Sequence, residues 1–437
     1  MTAHTTTFDT SASETAAPRS PLRVVLFGFG TVGASVARIL ADRSELAGRV
    51  QLTHVFNREV ARKRVDWVHE SVTWTQSVDE ALASKPDVVV EVMGGVDDPY
   101  AIVRRALEQG ASVVTANKML LAAHGPELLR LAGERGGHIR FEAAVGGGVP
   151  LIHGVREGLS GDTLTGVAGI LNGTCNYILS RMADTDEPMD LVLTDAQKLG
   201  YAEADPTADV DGFDAAAKLV VLAGIAFRRY MLLADVPLQT IRTISSADFR
   251  YARRLGCTIR QISQMHVQDD HFHAFVGPAL VPAGSSFGRN LGANNVVTIY
   301  GRYGGESAFS GAGAGGPATA VAVVSDLLAL THRSAPEAEV WLPATLGEPP
   351  ARPYYLRFVV RDRPGILAAI ASALASEHVN LDAVLQEPGY PKEALPFVIT
   401  VEACAQSALV RALNRIRAES WHAQPPLALP MLMGENS

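Results

Sequence analysis

Strands and helices alternate over the first third of this chain, the pattern changes near residue 150, and a strand–helix–strand–strand–helix order follows residue 353. Together these predict an α/β protein in three parts: a parallel sheet covered on both faces, an α+β domain, and a small ferredoxin-like module. The 437 residues suffice for two or three domains, each with its own core. An apolar fraction of 47% with 19% charged residues is an ordinary globular composition, and a net charge of −8 argues against nucleic acid as the main partner. Three cysteines, Cys175, Cys257 and Cys404, are too few and too scattered for a disulfide framework or a zinc site and fit a reducing cytoplasm. Residues 1–20, rich in Thr, Ser and Ala, read as a mobile tail and as neither a secretory signal nor an anchor. No apolar run reaches the length that spans a bilayer, so a membrane partner is not expected.

Residues 21–149 form the first predicted domain. Leu22-Arg-Val-Val-Leu-Phe27 is an apolar, β-branched run that enters Gly28-Phe29-Gly30-Thr31-Val32-Gly33 and then a helical pattern from Ala34 to Leu40. Strand, glycine turn and helix make a Rossmann-type dinucleotide site: Gly28 permits the turn, Gly30 admits a pyrophosphate, and Gly33 lets the helix pack closely on the strand. The next strand, Gln51–Phe56, ends in Asn57-Arg58, with Arg62, Lys63 and Arg64 close behind, where an NAD-selective site usually carries an acidic residue. A guanidinium on a 2′-phosphate forms charge-assisted bonds of roughly 1.5–3 kcal/mol, so NADP is favoured; Glu59 keeps NAD open, and an exposed helix face also accounts for the basic run. Two further strands end in turns at the carboxyl edge where ligands bind, Met93-Gly94-Gly95 and Ala116-Asn117-Lys118. That places Lys118 where substrate would meet cofactor, although a lysine after a strand is, taken singly, more often just solvated. Phe141 to Pro150 reads as a hinge whose glycines could turn carbonyls toward a hard monovalent cation, or as a plain interdomain turn.

Residues 150–311 mix strands, at 164–171, 271–281 and 295–300, with a helix at 214–226. Asp214 and Lys218 share one face of that helix, and Glu203, upstream in the same turn-rich run, could face the same space: a cluster suited to a small zwitterion. A solvated surface ion pair accounts for the Asp214/Lys218 spacing taken alone. Leu171-Asn-Gly-Thr-Cys-Asn176 ends a strand and opens a helix, so its Asn and Thr groups are N-cap candidates as well as substrate contacts, while Cys175 reads as a small buried thiol. Gly311 to Pro317 leads into an apolar helix, part of a 312–333 segment expected to return to the first domain. Residues 334–353 read as a linker, and 354–430 as the third module.

These motifs resemble the homoserine dehydrogenase family, in its long form with a C-terminal ACT domain. The likeness rests on the 28–33 turn, Thr115-Ala-Asn-Lys118, Phe141-Glu-Ala-Ala-Val145, Gly169 to Thr174, Asn176-Tyr-Ile-Leu179, Leu199-Gly-Tyr-Ala-Glu-Ala-Asp-Pro206, Asp214 to Lys218 and Gly311 to Gly316. It implies reversible NAD(P)H-dependent reduction of L-aspartate 4-semialdehyde to L-homoserine, on the route to threonine and methionine. By position it makes Lys218 the proton donor and Lys118 a contact of both nicotinamide and substrate. Glu203 becomes the ammonium acceptor and Asp214 a substrate ligand that orients Lys218. It adds Gly94, Gly200 and Gly315 to the cofactor site beside Arg58 and the glycine turn. It also implies a structural sodium ion at Glu142, Val145, Gly147 and Val149, and a homodimer or dimer of dimers through the middle domain. A threonine effector is expected at the 362–365 turn and Asn380 of the ACT domain. Cys175 departs from the second threonine expected there. Another NADP-linked enzyme acting on a different amino-acid aldehyde or 2-amino acid, and an amino-acid sensor with a silent dehydrogenase body, are the alternatives; the two lysines argue against silence.

Overall fold

The structure, a computed structural model, describes residues 20–332 and 339–433; the expected tail up to residue 19 and positions 334–338 of the expected linker lie outside the described residues. The first domain is a six-stranded parallel sheet with strands β1 Leu22–Phe27, β2 Val50–Phe56, β3 Thr73–Thr75, β4 Val88–Glu91, β5 Ser112–Thr115 and β6 Ile139–Arg140, in the order β3-β2-β1-β4-β5-β6. Alternate residues of β1 and β4 feed two cores. Val25, Phe27 and Val89 face Ile102, Val103 and Leu121, whereas Val24, Leu26 and Val90 face Val36 and the Val323–Leu327 turn of a distant helix. Burial on both faces explains why these strands are continuous apolar runs. The distant helix, Gly316–Leu330, lies against the Thr31–Asp42 helix, and Gly316 makes the approach possible: a Cβ there would sit 2.9 Å from the Thr31 carbonyl oxygen. The strand order reverses between β1 and β4, the crevice where such sheets bind ligands.

The middle domain is an antiparallel sheet ordered 271–282, 257–268, 164–170, 294–301, 305–312. Two of these strands, Cys257–Gln268 and Gly305–Ala312, have no counterpart in the expected elements: the first is buried nearly throughout and carries Arg260, Gln261, Ser263 and Gln264, which break an apolar reading. The Phe213–Phe227 helix packs on this sheet and is buried almost all round, so it shows little amphipathic periodicity.

The third domain adds a fourth strand, His422–Pro430, to the expected order, giving a sheet 381–386, 395–404, 352–360, 422–430 with two helices on one face. Arg352–Val360 is buried on both sides: Leu356, Phe358 and Val360 face the helices, while Tyr355 faces the middle domain. Residues 339–353, expected as a linker, are docked. Trp341 is 3% exposed and fills the space left by Gly125 and Gly224, and Leu342-Pro343 pairs with Arg229-Tyr230. In the turn expected to hold an effector, Gly365 has φ +94°, and the Asn380 amide donates to Glu402 at 3.2 Å.

Candidate active site

The glycine turn after β1 is built by close approach. Gly28 has φ +101°, and a Cβ on it would lie 2.8 Å from the Val92 carbonyl oxygen; one on Gly33 would collide with the Gly28 carbonyl. Nothing lies within 4 Å of where a Gly30 Cβ would be, so this face is open. The helix that starts at Thr31 has no side-chain cap on Gly30, which leaves first-turn N–H groups for an anion. In the same run Phe29 is buried edge-on to Trp74, Val32 is partly buried against the same core, and the Thr31 backbone carbonyl accepts from Ser35 Oγ. A cleft of about 320 Å³ continues from the turn past Phe56, Asn57, Arg58 and Lys63. The Arg58 side chain is 68% exposed, 3.7 Å from Asp98, whereas Arg62 is turned toward Glu59 at 3.3 Å. Among the described residues, Arg58 and Lys63 are the cations that line the cleft.

Across the switch point, Asn117 caps the Lys118–Arg135 helix by accepting from Leu120 N at 3.0 Å, and its amide donates to the Gly95 carbonyl at 2.8 Å. Gly94 and Gly95 carry positive φ, which frees that carbonyl to turn inward. Glu91, not singled out by the sequence, anchors this corner: it accepts from Thr115 Oγ1 at 2.6 Å and Met93 N at 2.8 Å, and burial raises its pKa. Its signal was present, a carboxylate at the end of an otherwise apolar strand.

Lys118 thus starts a helix of the first domain and reaches Asp214, at the start of a helix of the second. Lys118 Nζ is 3.1 Å from Asp214 Oδ1, and Lys218 Nζ donates to Asp214 Oδ2 at 2.7 Å and to the Leu171 carbonyl at 2.9 Å. Asn172 donates to the same Oδ2 at 2.9 Å and to Asp209 Oδ1 at 2.6 Å, while its oxygen caps the Gly173–Thr185 helix. Burial opposes the charge on Asp214, but Lys218 and Lys118 outweigh it and hold the carboxyl well below its usual range. For Asp209 burial wins, and its pKa is raised. Asp209, like Glu91, is not among the site residues expected from the sequence. The Cys175 thiol points inward to the Asp209 carbonyl at 3.2 Å and is pushed well up by burial, so it is no nucleophile.

The remaining expected residues stand on the 199–206 loop, before the Gly316–Leu330 helix and at the 142–149 hinge. Glu203 is exposed on the loop after the Met189–Lys198 helix; its carbonyl accepts from Gln197, and its carboxylate makes no hydrogen bond or ion pair among the described residues. Gly200, with φ +79°, sits at the start of that loop. Gly315, with φ +114°, precedes the helix that touches Thr31. At the hinge, the Glu142 carboxylate accepts from Ile152 N at 2.8 Å and His153 N at 2.7 Å, and burial raises its pKa. The Val149 carbonyl accepts from Leu151 N, but the carbonyls of the buried residues Val145 and Gly147 accept no backbone hydrogen bond among the described residues.

A family model described as homoserine dehydrogenase, NAD binding domain, matches residues 28–142, one described as homoserine dehydrogenase matches 150–328, and an ACT domain model matches 354–420. A Mycobacterium tuberculosis homoserine dehydrogenase is 41% identical over 384 residues, covering 84% of this chain and 87% of that protein. The chain belongs to the homoserine dehydrogenase family. Homoserine dehydrogenases are NAD(P)-dependent oxidoreductases acting on a CH–OH group. The crystal structure of a homoserine dehydrogenase from Thiobacillus denitrificans superposes with a TM-score of 0.87 at 33% identity, covering 94% of this chain and 98% of that one. A hyperthermophilic archaeal homoserine dehydrogenase in complex with NADPH superposes at 0.62 with 25% identity, covering 72% and 100%. The two homoserine dehydrogenase matches meet at 142–150, the segment that carries the hinge carbonyls.

Proposed function

We propose that this chain reduces L-aspartate 4-semialdehyde to L-homoserine, and catalyses the reverse, with Lys218 as the proton donor and NADPH preferred to NADH. The observation that carries this reading is the single carboxylate of Asp214 held between Lys118 of the cofactor domain and Lys218 of the middle domain. Bound NADPH supplies hydride to the aldehyde carbon. The carbonyl electrons then collect on oxygen, and Lys218 meets that charge: an ammonium has three donors, two are held by Asp214 and Leu171, and the third is free for the oxygen. Asp214 fixes the direction of that third donor. Lys118, 34% exposed, adds a second positive charge on the cofactor side, where developing negative charge is stabilised. Glu203, unpaired at the rim, receives the substrate ammonium. For homoserine oxidation Lys218 takes the hydroxyl proton, and because that direction releases a proton overall, mass action favours it as the solution becomes alkaline.

NADPH rests on Arg58 and Lys63 at the end of the cleft, where a 2′-phosphate would lie, and on the family's archaeal NADPH complex. The hinge fits a hard cation: the free Val145 and Gly147 carbonyls would hold a sodium ion with Glu142, and Val149 nearby, tying the two domains at their junction. A homodimer through the middle domain, and threonine acting at the 362–365 turn and Asn380, complete the reading. Millimolar threonine that leaves the rate unchanged removes the effector part.

The reaction is tested by following NADPH loss with aspartate semialdehyde for wild type and Lys218→Ala. Loss of general acid catalysis lowers kcat by about 10²–10⁴-fold, with NADPH binding retained. A wild type without turnover refutes the reaction, and a Lys218→Ala variant of near-normal rate refutes the donor.

A further inference from the structure

A cleft of about 440 Å³ opens between the outer strand of the middle sheet, the 346–349 segment and the third domain. It shares no lining residue with the dinucleotide cleft or with the Lys118–Asp214–Lys218 cluster. Much of its wall is apolar, with Phe275 on the middle domain and Leu409, Val410 and Leu413 on the Gln406–Arg417 helix among the lining residues. Within these walls sits a charge without a counter-charge. Arg352, first residue of the Arg352–Val360 strand, is 6% exposed, and its guanidinium makes no hydrogen bond or ion pair among the described residues; Nε is fully buried. Two further lining groups, Gln264 Oε1 and His273 Nδ1, are also buried and unpartnered.

The neighbours do not neutralise Arg352. Burial, then Arg352 and His273, push His266 down to about 4, so that imidazole is uncharged at neutral pH. Glu348 is engaged with Ser407 N at 2.9 Å, and Asp235 is exposed at the rim. Burying an unpaired guanidinium is costly, and a protein that keeps one at the wall of a cavity has a place for an anion from solvent. The planar fork of arginine matches a carboxylate, and the aromatic and aliphatic walls match an apolar body.

We propose that this cleft is a second ligand site, for a small carboxylate with an apolar body, clamped between the middle domain and the ACT module. The carboxylate meets Arg352, with His273 and Gln264 as further hydrogen-bonding groups, and the apolar body lies against Phe275 and Leu413. Two sources share this chemistry, an apolar amino acid and the corresponding simple acid; Asp235 at the rim would receive the ammonium of the first. A ligand held by both domains favours their docked arrangement and raises the melting temperature of the full chain.

The test is calorimetric titration of the full chain with 4-methylpentanoate, L-leucine and 3-methylbutanol. Both carboxylates bind, the alcohol binds at least about tenfold more weakly, and Arg352→Met weakens both carboxylates about tenfold or more, the size of a charge-assisted hydrogen bond. Tighter binding of L-leucine than of the plain acid identifies amino acids as the source, and the reverse identifies simple acids. Val410→Trp, at a position 44% exposed on the rim, blocks the mouth without touching buried packing and abolishes binding with basal turnover intact. The proposal is overturned if the wild type binds neither carboxylate up to about 10 mM. It is equally overturned if Arg352→Met melts normally and binds as before, or changes only subunit association.

Discussion

Asp214 and Asp248 are both carboxylates drawn almost out of solvent, and both accept from groups on more than one element, yet their surroundings are completed in opposite ways. Around Asp248 the protein supplies everything. Arg357 and Tyr355 reach it from the ACT strand, the latter at 2.8 Å, Ser245 donates through both N and Oγ at 2.8 Å, and the side chain is 0% exposed. The second terminal Arg357 nitrogen finishes on the Thr243 carbonyl at 3.1 Å, which leaves only its buried Nε without a partner among the described residues. Around Asp214 two ammonium groups and Asn172 gather, but Lys118 is a third exposed and Lys218 has a donor to spare. Burial and charge therefore do not by themselves separate a site from a joint. A closed network joins two domains, whereas one that leaves a donor facing a cleft can act on something not yet there.

The largest effect that could break this contrast is at Asp248. Replacing it by Ala strands Arg357 and Tyr355 in the interface, and removing one partner of a buried pair typically costs about 3–5 kcal/mol. Thermal unfolding and limited proteolysis should show early release of the ACT domain, while kcat at low temperature stays near wild type. If kcat falls as far as in Lys218→Ala, Asp248 belongs to the catalytic machinery and the contrast fails.

A smaller effect sharpens the other side. The lysines hold the Asp214 carboxyl below its unfolded value, so its contribution to stability is fully present above the unfolded pKa of about 3.9 and is lost as pH falls toward the folded value. Asp214→Asn removes that contribution. The difference in unfolding free energy between wild type and variant should therefore be constant above about pH 5 and shrink steadily below about pH 4. A difference independent of pH down to the acid limit would mean that the lysines do not hold this charge.

How legible these two regions were in the sequence follows from how local they are. Asp214 and Lys218 are one helical turn apart, and the glycine turn, Lys118 and the ACT helices announce themselves by spacing or by flanking strands. Asp248 lies 109 positions from Arg357, and nothing local marks either as buried. The Cys257–Gln268 strand escaped notice because polar residues interrupt it, and His422–Pro430 because Pro425 and Pro426 lie within it. Trp341 sits in a segment whose Pro and Glu content suggests a free linker, and its burial rests on distant partners, the gaps at Gly125 and Gly224 and the ring of Phe141. Glu203 is the reverse case: its motif is local, but its exposed carboxylate has no protein partner among the described residues.

The smallest expected effect concerns Arg58, which stands at the exposed end of the same comparison. Its guanidinium is 68% exposed with Asp98 at 3.7 Å, so it contributes little to the fold, and such exposed pairs are worth about 0–1 kcal/mol. Facing a 2′-phosphate it would gain charge-assisted hydrogen bonds instead. Arg58→Ala should then raise the KM for NADPH about tenfold and leave that for NADH, kcat and the melting temperature nearly unchanged. Added salt should reproduce part of the loss in the wild type, because an exposed charge is screened. Equal losses for both cofactors would place Arg58 outside the phosphate site and leave Lys63 as the cation of the cleft to test next.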